Sequence, residues 1–470
     1  MNLKKTLGLL QTYGIKRAIQ QGTEKLFFDA RRYANIAPYT DIKPEDYLYF
    51  PTAPKLQVEG LSIILVVHRF YPEGTGGTEK FTYNLAQELV KSGNRVVVLA
   101  YSQMHHSYYD SEIGGVLYKQ EVWDNLSVVK FRYKKPPADL LKDAAVTDDI
   151  IPFADWCFQQ FNPLLLHFTH LSRVSALAEA CRKRHKPYLV TVTDFFSVCH
   201  FTTLIRKDGQ ICPASRNGQN CKKYCPTSRT DTVARHKIYR QLLSGAAAVT
   251  APSQYVCRIL QREFVNLNLL AIPHGIDITL PPKTHFKKGC TKFVYAGSLC
   301  EAKGIALLIT AFKFMPNTCS LDIYGSGSEL YVSRLKKLTR HSPNIKFCGN
   351  VTRQEISKAF ENADCVVVPS QWPETYNFVV REALSCGCLV VASHIGALPE
   401  AIIEGENGYT FETGDKDKLL EALQKALHFN FAQYRHVTFP LVEEEAQSYM
   451  FLYTHAYKSH KAVPQCPKSV

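Results

Sequence analysis

Glu374 and Glu382 stand eight positions apart in QWPETYNFVVREALSCG, residues 371 to 387. The first falls in the turn after a β-branched run, DCVVVPS, and the second in the second turn of a helix that starts near Asn377. Such a pair is either the polar grip of a binding site or two surface charges, because an acid near a helix N-terminus is favoured by the helix dipole alone. Upstream, GSLCEAKG (297 to 304) puts Lys303 at the start of another helix. A lysine there either neutralises a diphosphate as a mobile point charge or is simply solvated. EGTGGTEK (73 to 80) follows a strand and opens a helix, so the backbone N–H groups of Gly76, Gly77 and Thr78 can face a phosphate or sugar oxygen. A plain tight turn explains that loop equally well. GSGSE, beginning at Gly325, follows one more strand.

These segments need a scaffold that brings strand ends together. From residue 61 onward, short β-branched runs (LSIILVV, RVVVLAY, PLLLHF, PYLVTVT, AAAVTAP) alternate with amphipathic stretches, the sequence form of parallel α/β units. Residues 273 to 290 carry three prolines and two glycines with little periodicity, which marks a linker. The alternation then restarts with TKFVYAG, LDIYG, IKFCG, DCVVVPS and CLVVAS. The expected organisation is a basic N-terminal extension (1–58), a first α/β domain (59–272) with a Cys-bearing insert (195–226), the linker, a second α/β domain (291–430) and C-terminal helices (431–460). In open parallel sheets, ligands sit beyond the carboxyl ends of the strands, where every candidate group falls.

The 470 residues exceed one ordinary core, and a hydrophobic share of 46% with 21% charged residues is that of a globular protein. A net charge of +14 favours a polyanionic partner: nucleic acid, acidic lipid or a phosphorylated small molecule. No apolar run approaches the roughly 18 to 20 residues that span a bilayer. The N-terminus lacks a secretory pattern, and fifteen scattered cysteines fit reduced thiols, so a cytoplasmic location is expected. Before Tyr33 the chain has seven Lys or Arg against two acids, with Leu3, Leu7 and Leu10 on one helical face. That segment is either a helix packed on the first domain or a basic helix lying on anionic lipid at the inner membrane face.

The order of these motifs resembles the retaining, nucleotide-sugar-dependent glycosyltransferases of family 4, or group 1, with the GT-B fold of two Rossmann-like domains. The likeness runs over about 60 to 460 through the Gly76-Gly77-Thr78 loop, NPLLLHFTH, APSQYV, IPHGID, GSLCEAKG, YGSGSE, REALSCGCLVVAS, IGALPE and ENGY. It implies that Glu382 grips the donor ribose, that Glu374 contacts the transferred sugar, and that Lys303 holds the diphosphate. Amides near Tyr376, Asn377 and Phe378, with Ser298 and Gly325, complete the donor cradle, and a C-terminal helix returns to the first domain. The implied catalytic set is Glu374, Lys303 and Asp194. The implied reaction moves a sugar from a nucleoside diphosphate to a glycan or lipid-linked acceptor, in cell-surface polysaccharide synthesis. No cofactor is required, since fixed positive groups at the leaving diphosphate supply the main stabilisation. A nucleotide-sugar epimerase and a glycan-binding scaffold of the same fold are the competing readings. Nucleic acid is disfavoured, because the basic residues are dispersed and join no aromatic stacking motif.

Three positions depart from the family pattern. Ser298 stands where relatives often have Arg, Asn377 where they often have Gly, and Thr193 where a histidine commonly precedes Asp194. Asparagine tolerates left-handed backbone, so the Asn377 loop is expected to survive. His167, His170 and His200 are the candidates to replace the missing histidine. Just beyond, Cys199, Cys212, Cys221 and Cys225 fall within 27 residues. They are compatible with a structural zinc or with free buried thiols.

Overall fold

The computed structural model describes residues 60–135, 150–226, 231–277 and 289–462. The basic extension and most of the linker lie outside these residues. The first sheet is built from β1 (Ser62–Val67), β2 (Arg95–Tyr101), β3 (Ser111–Ile113), β4 (Val116–Trp123), β5 (Leu126–Tyr133), β6 (Leu165–Phe168), β7 (Tyr188–Thr191), β8 (Ala248–Ala251) and β9 (Leu269–Ala271). Its order is β3-β4-β5-β2-β1-β6-β7-β8-β9. The second is built from β10 (Lys292–Ala296), β11 (Ser320–Tyr324), β12 (Ile345–Gly349), β13 (Cys365–Val368), β14 (Leu389–Ser393) and β15 (Gly408–Phe411), in the order β12-β11-β10-β13-β14-β15.

The central strands read as unbroken apolar runs because both their faces are covered. In β1, Ile64 and Val66 enter one core with Phe168 and Tyr239, while Ile63, Leu65 and Val67 enter the core on the other face with Phe81 and Leu85. In β13, Cys365 and Val367 pack on one face, and Val366 and Val368 on the other. The second sheet is parallel throughout. The first carries an antiparallel edge, β3-β4-β5, that the alternation of strands and helices did not indicate. Its signals are two-residue turns: Gly114-Gly115 and Asp124-Asn125 both have positive φ, the geometry of tight hairpins.

The helix Val442–Ala462 crosses back to the first domain, where Tyr449, Met450 and Tyr453 join the core under β1. Tyr453 Oη and Thr191 Oγ1 hold the two ring nitrogens of buried His167, each at 2.7 Å. The helix starts against Gly275, where a Cβ would sit 2.4 Å from Val442 Cα. Glu445 accepts from the Gly275 N–H and bonds His274 Nδ1, each at 2.8 Å. Among the described residues, no helix is long and apolar enough to cross a membrane.

Candidate donor cleft between the two sheets

Beyond the carboxyl end of β13, Glu374 is buried and its Oε1 accepts from three donors: Lys303 Nζ at 2.7 Å, Ser370 Oγ at 2.6 Å and Trp372 Nε1 at 3.2 Å. Burial alone would raise its pKa, but Lys303 and the hydroxyl and indole donors outweigh that and hold it below the ordinary carboxylate value. Lys303 gets there through a single turn of 3-10 helix, Glu301–Lys303, closed by Gly304 at φ +68°. A Cβ on Gly304 would lie 1.8 Å from the Pro369 carbonyl oxygen, so only glycine lets this turn seat against the end of β13.

Asn377 caps the helix Phe378–Ser385 at φ +67°, its Oδ1 accepting from Val380 N–H at 3.2 Å. The asparagine thus adopts the left-handed backbone expected of it. One turn on, the buried Arg381 guanidinium bonds the carbonyls of Tyr376 and Ala397 and stacks 4.0 Å from the Tyr376 ring, bracing the loop from below. Glu382, also buried, is not alone. Lys80, from the helix Gly77–Lys91 of the first domain, bonds its Oε1 and lies 3.5 Å from Asp277 Oδ1 and 4.9 Å over the Phe378 ring. Arg353, at the start of the helix Arg353–Asn362, also pairs with Asp277. Lys80, Asp277, Arg353 and Arg381 were not anticipated from the sequence.

On the facing wall, Gly76 is the N-cap of Gly77–Lys91 and makes no side-chain cap bond; Gly77 faces the Phe378 ring. Glu79 tucks under this loop and bonds Arg69 Nε at 2.9 Å. Thr78 Oγ1 donates to Thr193 Oγ1 at 2.8 Å, and Thr193 Oγ1 donates to the Thr169 carbonyl at 3.1 Å. The Thr193 carbonyl accepts from Thr375 Oγ1 at 2.8 Å, which ties the two domains together beside Glu374. Threonine here is a structural tie with no proton-transfer capacity near neutral pH. Of the three histidines, His170 is the one brought to Asp194, with Nε2 2.9 Å from Oδ2. Its Nδ1 accepts from Ser172 N–H at 2.9 Å, which assigns the proton to Nε2 and points it at the carboxylate. His167 is interior, and burial lowers its pKa to about 3. His200 packs against Phe201. Ser298 and Gly325 lie at the ends of β10 and β11, where the Ser298 carbonyl accepts from Tyr295 Oη and Gly325 rests on the Gly297 carbonyl.

Cys199, Cys212, Cys221 and Cys225 are free thiols on a small knot closed by the Ile205–Ile211 bridge and the helix Gln219–Tyr224. Burial raises Cys212 and Cys221 to about 12, and the neighbouring thiols of the group add to it. Among the described residues, no group of three or more His, Cys, Asp or Glu is arranged to hold a metal ion.

Residues 75–280 match the model of glycosyltransferase family 4, and residues 278–437 match that of glycosyl transferases group 1. A sulfoquinovosyl transferase of Arabidopsis thaliana is 30% identical over 159 residues, covering 33% of this chain and 30% of that protein. A lipopolysaccharide 1,2-N-acetylglucosaminetransferase of Salmonella typhimurium is 25% identical over 208 residues, covering 40% and 55%. The chain thus spans about half or less of the length of these curated relatives. Among solved structures, HepE of Anabaena in complex with UDP superimposes with a TM-score of 0.57 at 16% identity, covering 86% of this chain and 100% of that one. Sucrose-phosphate synthase of Thermosynechococcus elongatus gives 0.55 at 15%, covering 85% and 97%. Such likenesses establish the fold, two Rossmann-like domains in the GT-B arrangement. The two family matches adjoin and together run from residue 75 to residue 437, and the chain belongs to the group 1 glycosyltransferases.

Proposed function

We propose that the protein transfers a sugar from a nucleoside-diphosphate sugar to a glycan or lipid-linked acceptor, with retention of anomeric configuration. The observation that carries this reading is the pairing of Glu374 with Lys303 at the carboxyl end of β13, with Glu382 one helical segment away and the first domain closing on both. HepE was solved with UDP, and the curated relatives are named for sugar transfer, which supports a nucleotide-sugar donor. Glu374 offers Oε2 to a sugar hydroxyl, since its three protein donors all fall on Oε1. Glu382 takes the ribose hydroxyls, and Lys303 moves from carboxylate to diphosphate as the leaving group gains charge. Lys80 supplies the second cation that Ser298 lacks, releasing Glu382 to the ribose as it turns to the diphosphate. Asp194, oriented by His170, faces the transferred sugar from the opposite wall.

The test is a pair of variants assayed with UDP-, GDP- and ADP-sugars, with products resolved for anomeric configuration. Glu382→Ala weakens donor binding, whereas Glu374→Ala leaves binding within a few-fold and cuts turnover by at least a hundredfold. Normal transfer in both variants, or an inverted product, defeats the assignment.

A further inference from the structure

At the opposite end of the first sheet, far from the cleft, a cavity of about 530 Å³ opens between the amino ends of β7 and β8 and the returning helix Val442–Ala462. This volume is within the range of small-molecule sites, roughly 300 to 1,000 Å³. Its wall has two chemistries. Leu452, Ala456, Ala247 and Ala248 make an apolar floor, whereas Arg182, His185, Lys186 and His455 stand at its polar side, and among the described residues no Asp or Glu lines it. Arg182 is partly offset by Glu179, which it bonds at 2.8 and 2.7 Å. Lys186 instead lies 5.5 Å over the Phe158 ring, and among the described residues no Asp or Glu pairs with it. Around it the sequence runs Arg182-Lys183-Arg184-His185-Lys186, so the rim belongs to the most basic run of the described first domain. Gly245 keeps the space tight on one side: a Cβ there would approach Tyr188 Oη to 2.8 Å and Arg182 Cδ to 3.5 Å.

A concave site with a cationic rim and an apolar floor recognises a phosphate that carries a hydrocarbon portion. We propose that this cavity is a second ligand site, separate from the donor cleft, for a phosphoryl group carried on a glyceryl or alkyl chain, the phosphate held by Arg182 and Lys186 and the chain's carbons set against the apolar floor. That group belongs either to an anionic lipid headgroup or to a free phosphate ester.

The test titrates the full chain with sn-glycerol 3-phosphate, and separately with vesicles of phosphatidylcholine with and without phosphatidylglycerol. The double variant Arg182→Gln/Lys186→Gln is compared with Lys336→Gln/Lys337→Gln, two exposed lysines on the second domain that remove the same formal charge. Loss of two cations at the site weakens binding about 30-fold on the per-residue worth of basic groups at anionic surfaces. The control pair changes binding less than threefold. Saturable binding of the free ester that only the cavity variant loses supports a free phosphate ester. Binding confined to phosphatidylglycerol vesicles and lost in the same variant supports the lipid headgroup. Absence of binding to either probe, or equal loss in both variants, overturns the proposal. Unchanged circular dichroism and melting of the double variant, expected of side chains on the surface, separate lost binding from lost folding.

Discussion

Replacing Lys303 with Met isolates the interaction on which the cleft depends. The substitution keeps the stem and removes the charge, leaving the Glu374 carboxylate with Ser370 and Trp372 as its remaining donors. Breaking a fully buried ion pair costs about 3–5 kcal/mol, because the surviving charge stays desolvated. Here the Glu374 side chain is 10% exposed but Lys303 is 24% exposed, and two neutral donors persist, so the expected loss at pH 7 is about 2–3 kcal/mol. The pH dependence has a definite sign. In the native protein the Glu374 pKa is lowered, so its contribution is present above the unfolded value of 4.5 and is lost as pH falls through the folded pKa. In Lys303→Met, burial is unopposed by the ammonium and the folded pKa moves up. The variant therefore gains stability relative to the native protein as pH falls toward 4.5, the carboxyl group becoming neutral. Scanning calorimetry at pH 7 and pH 5, following the transition of the second domain, reads both effects. The double variant Lys303→Met/Glu374→Gln, which removes the orphaned charge, recovers about 1–2 kcal/mol of the loss at pH 7. A constant difference between native protein and Lys303→Met across this pH range, or no recovery in the double variant, refutes the reasoning.

Asn377→Val is expected to cost about 2–3 kcal/mol, from a β-branched residue forced to positive φ and from the lost N-cap, while Asn377→Gly costs under about 1 kcal/mol; chemical denaturation of the two variants measures the contrast. Gly304→Ala puts a Cβ on the Pro369 carbonyl and displaces the Lys303 turn, so it lowers stability by about 2–4 kcal/mol, read by calorimetry, and weakens donor binding along with it. Lys80→Met is expected to weaken nucleotide-sugar binding about tenfold or more by calorimetric titration, the worth of one charge-assisted hydrogen bond. Tighter binding instead would mean that Lys80 only competes for Glu382.

How far the sequence reaches into this site follows from what each residue depends on. Glu374, Asn377 and Glu382 were legible because one strand, one loop and one helix position all three, and local patterning sets those elements. Asn377 even announces its backbone, since asparagine is among the few residues that hold φ +67° at modest cost. Arg381 lies beside Glu382 in the same motif and went unread because its role faces the other way, about 100° around the helix, toward carbonyls at Tyr376 and Ala397. Lys80 meets Glu382, and Arg353 meets Asp277, across hundreds or tens of residues and across the domain gap. No periodicity encodes such a meeting.

The His170–Asp194 contact marks the boundary between these cases. β6 and β7 are parallel neighbours with Phe168 opposite Val190, so the residues just past their carboxyl ends must emerge side by side. His170 is two residues beyond the end of β6, and Asp194 three beyond the end of β7. Given the strand order, the pairing of His170 in preference to His167 follows: His167 lies within β6, where its ring is enclosed by Tyr453 and Thr191. With Thr193 just before Asp194, this wall therefore still carries an imidazole. The ring comes from the end of β6, one strand over, and its N–H is directed at Asp194, which fixes the orientation of the carboxylate.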